Sequence, residues 1–232
     1  MPSTDAPCCA KDLNALKHFL EHPFTIKNVD EDFKSWHLGR RRYYFWAIPV
    51  DDADWIDLFH GATKHLQPFM LSSYYRQPHI TILPAGFDGS HNLKQTPLVE
   101  ICRHTSCFEL SLGALSSFTS SAYFEVHEPS GKLRNLRADL ARVMCDRSCM
   151  TEELEFVPHM TVGLYGGIYP TPLVADLIQQ FAGNRVSAIM VRKIALASYQ
   201  TSSVGGPIEV IMEIELESGR IYWVSNNSNK ND

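Results

Sequence analysis

Two segments of the chain share one spelling: Pro78-His79-Ile80-Thr81-Ile82 and Pro158-His159-Met160-Thr161-Val162. Each sets an imidazole and a hydroxyl two residues apart, with apolar residues between and after them. A strand alternates its faces, so the His and Thr of each copy point the same way while the apolar neighbours point into a core. Imidazole, with an ordinary pKa near ~6.5, gives or takes a proton at neutral pH. A hydroxyl can donate to an oxygen on which negative charge builds. Two such strands facing one cleft would supply a base, an acid and two hydroxyl donors, which is a set for breaking a phosphate ester. One His-x-Thr on a strand carries little meaning. Two copies, each with a leading Pro and a Gly-containing segment behind, carry more, because burying an imidazole twice is costly unless each ring is hydrogen-bonded.

The elements that must position these residues can be read from pattern. The run 43–50 (YYFWAIPV) is dense in aromatic and β-branched residues and predicts a buried strand. Asp51-Asp52 predicts a helix start, with Trp55, Leu58, Phe59, Ala62 and Leu66 on one face of a helix over 53–70. The first His-Thr strand is expected over 77–83, and residues 87–106 read as a long connection. Strands are expected at 108–115 and 122–126, a helix at 131–146, and the second His-Thr strand at 156–164. A short helix at 172–182 and strands at 189–199 and 208–216 complete the pattern. Each half thus has a helix followed by a His-Thr strand, an internal duplication of arrangement. Residues 1–41 read as an N-terminal extension, with a loose tail over 1–9 and a short amphipathic helix over 10–21 carrying Leu13, Leu16, Phe19 and Leu20. Residues 218–232 read as a C-terminal tail, polar and disordered at its end. The order of elements predicts an α+β fold of antiparallel sheets with helices on the outer faces.

Composition narrows the partners. With 232 residues and 44% hydrophobic content the chain can bury a core, in one large domain or two packed lobes. A formal net charge of −5 argues against holding duplex DNA by bulk electrostatics, but leaves room for a nucleotide or a strand end gripped locally. The six cysteines (Cys8, Cys9, Cys102, Cys107, Cys145 and Cys149) follow no disulfide framework. No secretory signal or membrane-length apolar run is evident, so a cytoplasmic protein without a membrane partner is expected. Cys102 to Cys107, with His104 between them and His91 upstream, lacks standard zinc spacing, and no metal or other cofactor is expected. Cys145 and Cys149 read as buried small hydrophobes on a helix. Arg40-Arg41-Arg42 reads as a solvated strand approach, or as a weak attractor of a phosphate backbone. Gly205-Gly206-Pro207 reads as a turn.

The paired His-apolar-Thr-apolar motifs resemble the 2H phosphoesterase superfamily, which includes RNA 2′,3′-cyclic phosphodiesterases and 2′-5′ RNA ligases. Arg42-Tyr43-Tyr44-Phe45-Trp46-Ala47-Ile48-Pro49 resembles that family's first strand. The resemblance covers roughly residues 42–217. It implies a bilobal fold, two antiparallel sheets facing a central cleft, with His79 and His159 as the catalytic pair and Thr81 and Thr161 binding the phosphate. It leaves open which histidine is the base. One departure stands out: many cyclic phosphodiesterases of the family carry an Arg shortly after a motif. Here Leu83-Pro84-Ala85-Gly86 and Gly163-Leu164-Tyr165 follow, with no cation. Arg76, three residues before His79, either supplies that charge or is solvated at the strand entrance. Tyr123 and Tyr165 either stack on a base or belong to the core. The expected activity is metal-independent hydrolysis of a 2′,3′-cyclic phosphate or a 2′,5′ linkage by a monomer. The alternatives are a cyclic oligonucleotide or tRNA-derived cyclic phosphate as substrate, ligation as a side activity, and a non-catalytic nucleotide- or RNA-binding module.

Overall fold

The computed structural model describes residues 16–31, 37–87, 95–144 and 156–224. The expected tail 1–9, Leu13, Cys8, Cys9, His91, Cys145, Cys149 and the polar C-terminal end lie outside them. The strands are β1 (Arg42–Pro49), β2 (His79–Gly86), β3 (Phe108–Ser117), β4 (Ser121–His127), β5 (His159–Leu164), β6 (Ile189–Val191), β7 (Lys193–Gln200), β8 (Glu209–Glu215) and β9 (Ile221–Trp223). The helices are α1 (Lys17–Leu20), α2 (Ala53–Leu66), α3 (Gln95–His104), α4 (Lys132–Met144) and α5 (Thr171–Gln179). The α+β class holds. The two expected sheets are two halves of one nine-stranded order, β6-β3-β4-β5-β2-β1-β7-β8-β9. They meet at a seam between β2 and β5, where Ile80 and Met160 are the one residue pair in register.

Local chemistry explains most elements. The Asp52 carboxylate accepts the Trp55 N–H at 3.1 Å and starts α2 as an N-cap. Leu133, Leu136 and Leu140 form the buried stripe of α4. Pro78 and Pro158 have no N–H to give a ladder and hold the preceding residue extended, so both His-Thr strands begin at their histidine.

Four residues of the sheet's core face form a continuous row across the seam. Ile48 pairs with Ile80, Ile80 with Met160, and Met160 with Phe124. All four are buried and belong to the main hydrophobic cluster, which also takes the apolar stripes of the helices. Removing each such side chain from water is worth about 1.5–3 kcal/mol. The helices cross the seam: α2, which precedes β2 in the chain, packs on β5, while α4, which precedes β5, packs on β2. The opposite face carries a smaller cluster of Phe45, Ala47, Ala197, Tyr199 and Ile208. Among the described residues, no helix is long and apolar enough to cross a membrane.

Three expectations fail in detail. Residues 87–106 are not a plain connection, because α3 occupies 95–104 and buries Leu98 and Cys102. The single strand expected over 189–199 is two strands, since the chain breaks its ladder at Arg192. Its first half pairs with β3 and its second with β1 and β8. The C-terminal stretch from 218 holds the edge strand β9, paired with β8.

Candidate active site

The seam brings the two motifs together. With Ile80 opposite Met160 in an antiparallel pair, extending the register by one residue each way sets His79 across from Thr161 and Thr81 across from His159. The four chemistry-bearing side chains therefore share the face away from the helices. A proton on His159 also disfavours one on His79, as two neighbouring cations must.

Both rings are held in one manner. His79 Nδ1 donates to the Gln77 carbonyl at 2.8 Å, and His159 Nδ1 donates to the Val157 carbonyl at 2.7 Å. A carbonyl only accepts, so each Nδ1 carries its proton and each Nε2 is the nitrogen left to accept a proton or a further bond. The intervening prolines are fastened alike: the Pro78 carbonyl accepts the Val50 N–H at 3.2 Å and the Pro158 carbonyl accepts the Val126 N–H at 3.1 Å. Thr81 and Thr161 are half-buried on the same face.

The surroundings differ. His79 is only 6% exposed and packs against Phe45, ring centroids 5.5 Å apart. Burial is the main cause that brings its pKa down to about 4, and the charge of Arg76 adds to it. His159 is half-buried. Its ring meets Phe118 edge-on at 5.1 Å and Tyr123 at 5.3 Å. Burial lowers its pKa as well, against the raising effect of the Val157 carbonyl.

Arg76 stands beside His79 as a held charge. Its Nε donates to the Gly206 carbonyl at 3.4 Å, its Nη2 donates to the Val204 carbonyl, and its guanidinium lies 4.4 Å from the Tyr199 ring centroid. Tyr123 faces the site as a wall: it is in register with Thr161, stacks on Phe118 at 4.2 Å, and is 6% exposed. Tyr165 is not at the site. It is fully buried on the core side near Phe19, and its hydroxyl meets Ser117 Oγ at 2.5 Å, so it offers no face to a base. Burial raises its pKa.

Sequence reasoning missed Phe45, Phe118 and Tyr74. The first two are the aromatic walls of the rings. Tyr74 donates its hydroxyl to the Thr161 carbonyl at 3.2 Å, and burial pushes its pKa up to about 12. Phe45, inside the expected first strand, could have been found from the alternation that puts it on the face opposite Trp46. Nothing local marks the other two.

The remaining candidates have structural roles. Arg42 forms a two-pronged pair with Glu209 (2.7 and 3.2 Å) and also donates to Ser198 Oγ. Cys102 is a buried thiol whose pKa burial pushes up to about 12. The described residues contain no group of three or more side chains suited to a metal ion.

Comparison with known proteins shows the family and the fold. The sequence matches the 2′-5′ RNA ligase superfamily over residues 52–202, a span that contains both motifs. The fold is similar to that of TT0787 of Thermus thermophilus, with a TM-score of 0.51 and 14% identity over 76% of this chain and 98% of that one. E. coli LigT complexed with NADP+ aligns with a TM-score of 0.48 and 15% identity over 76% of this chain and 99% of that one. No curated protein sequence matches the chain.

Proposed function

The chain belongs to the 2′-5′ RNA ligase superfamily, and from that premise we propose that it is a phosphodiesterase that opens a 2′,3′-cyclic phosphate or a 2′,5′ linkage by two-histidine acid–base catalysis. The observation that carries this reading is the matched pair of Nδ1-to-carbonyl bonds, which leaves two Nε2 atoms free on neighbouring strands of one face.

The roles follow from the two environments. His79, enclosed and neutral well below pH 7, takes the proton of the attacking water through Nε2. The water oxygen bonds to phosphorus while the bond to the departing ribose oxygen breaks. His159, more open to solvent, enters this step as the cation that its Val157 carbonyl bond favours, gives that oxygen the proton on Nε2 and is left neutral. Each proton transfer is worth about 10²–10⁴ in rate. The hydroxyls of Thr81 and Thr161 donate to the non-bridging oxygens as charge gathers there. Arg76 favours the neutral form of His79 and adds positive potential for an anionic substrate.

The test is turnover of a 2′,3′-cyclic nucleotide and a 2′,5′-linked dinucleotide in excess chelator. Expected is hydrolysis that is lost in the His79→Ala, His159→Ala double variant. Activity that survives in that variant would overturn the proposal. The superfamily's name, 2′-5′ RNA ligase, supports one second reading. A site that stabilises the transition state serves both directions, so the same residues would join a hydroxyl end to a cyclic phosphate. Water is the more abundant nucleophile, and ligation is assigned as the minor activity.

A further inference from the structure

The segment 24–30 lies outside the nine-stranded sheet and outside the matched span 52–202. It nevertheless touches supports of both half-sites. At one end, Phe24 bridges Pro170, and the Thr25 N–H donates to the Tyr169 carbonyl at 2.9 Å. Next, the Ile26 N–H donates to the Thr119 carbonyl at 2.8 Å. Asn28 Nδ2 donates to the Ser120 carbonyl at 2.7 Å and to the Tyr165 carbonyl at 3.1 Å. These bonds fasten the turn after Phe118, the ring that stands edge-on to His159. At the other end, the Asp30 carbonyl accepts the Val204 N–H at 2.7 Å, and its carboxylate accepts from Ser73 Oγ. Val204 and Gly206 are the residues whose carbonyls hold Arg76 beside His79. The 203–206 loop is seated tightly there. A Cβ on Gly205 would come within 2.8 Å of the Ser73 carbonyl oxygen and 2.9 Å of Tyr74 Cα.

We propose that residues 24–30 form a positioning strap: Ile26 and Asn28 set Phe118 against His159, Asp30 sets Arg76 beside His79, and the strap thereby fixes the placement of the two rings relative to each other. The inference rests on the two-histidine reading above. Asn28 and Asp30 touch no reacting atom; Asn28 acts through the 119–120 turn and Phe118, and Asp30 through Val204 and Arg76. Two clamps at the two ends of one seven-residue segment, each reaching a different half-site, have a separable consequence that a general brace would lack: each end should govern one histidine.

The experiment follows the ring signals of His79 and His159 by NMR titration in the full, ligand-free chain, beside steady-state kinetics. Asn28→Ala is expected to shift the His159 titration and leave that of His79 in place. Asp30→Ala removes the Ser73 bond that holds the Asp30 main chain in place on Val204, and is expected to shift His79 alone, with its midpoint rising as the loop that holds Arg76 loosens. Loss of the Asp30 charge by itself would lower that midpoint, so the sign separates positioning from simple electrostatics. Asp30→Asn keeps an oxygen for Ser73 and should restore the wild-type curve. In each alanine variant kcat should fall about tenfold with KM little changed, the mark of misplaced rather than lost groups. Both titrations superimposing on wild type, or both moving together in every variant, would overturn the strap. A wild-type chain that cleaves none of the substrates would sink the two-histidine reading instead. The titrations need no turnover and still decide the strap.

Discussion

The half-sites around His79 and His159 are built from the same parts and set in different media. Each has a leading Pro, an Nδ1 bond to the carbonyl two residues back, and a Thr two residues on. One ring lies behind Phe45 with Arg76 alongside; the other stands between two aromatic edges and stays half-open. The duplicated parts orient Nε2 alike in both rings, and the unduplicated surroundings set the two rings in different electrostatic environments. In the proposed reaction, repetition in the sequence marks the two histidines, while the departures from repetition are what would distinguish base from acid.

The comparison breaks most visibly at the rings themselves. His79→Ala and His159→Ala should each lower kcat by about 10²–10⁴. The double variant should lie close to the worse single, because acid and base act as one unit. Multiplying penalties in single-turnover assays would show two independent sites instead of one.

The asymmetry also predicts a pH-dependent stability. The folded state favours neutral His79, whose pKa is brought from 6.5 down to about 4, so the unfolded chain binds the proton more readily. Stability is complete above pH 6.5 and falls as the pH drops toward 4, by on the order of 3 kcal/mol from this ring. Urea unfolding across that window should show the slope, and His79→Asn should flatten it. His159, more exposed, should contribute a shallower slope of the same sign.

Removing one hydroxyl tests whether the halves share a single phosphate. Thr81→Val and Thr161→Val should each lower kcat by about 10²-fold if both donate in the transition state. A loss confined to one of them would place the phosphate in one half. A smaller effect is expected from Arg76→Gln. The acid limb of the kcat/KM profile reports the free-enzyme base and should move to higher pH as His79 regains its proton more easily. In the wild type both arms are expected on the acidic side of the ordinary histidine range, since burial lowers both rings, and a kcat/KM profile would show it. The smallest effect belongs to Tyr165→Phe. It should leave kinetics untouched and cost about 1 kcal/mol for the lost bond to Ser117, read by thermal unfolding.

What could be read from the sequence was what depends on short range. The His-Thr spacing, the Asp52 cap and the stripe of α4 are periodic or local, and each sits where expected. Helix α3 escaped because its buried stripe is just Leu98 and Cys102, in a segment whose Thr96-Pro97 reads as a breaker. Pro97 lies in the first turn, where its missing N–H costs nothing. The parting of β6 from β7 escaped because their partners lie at different places in the sheet, and no spelling of Val191-Arg192-Lys193 states which. Tyr123 and Tyr165 look alike as aromatics on or beside strands, yet one walls the site and the other lies in the core. Register decided between them. The contacts of Asn28 and Asp30 run partly through main-chain atoms, which residue types do not encode.

The crossed packing of α2 and α4 has a consequence for dissection. Each helix covers the other half's histidine strand, so a fragment cut between β2 and β3 would leave β2 bare along an edge and α2 without the surface it was shaped for. Such a fragment has no complete core to fold around. Its missing surfaces are those the complementary fragment holds, and the two pieces should regain a cleft when mixed, by fragment complementation. In this architecture the smallest autonomous unit is the pair.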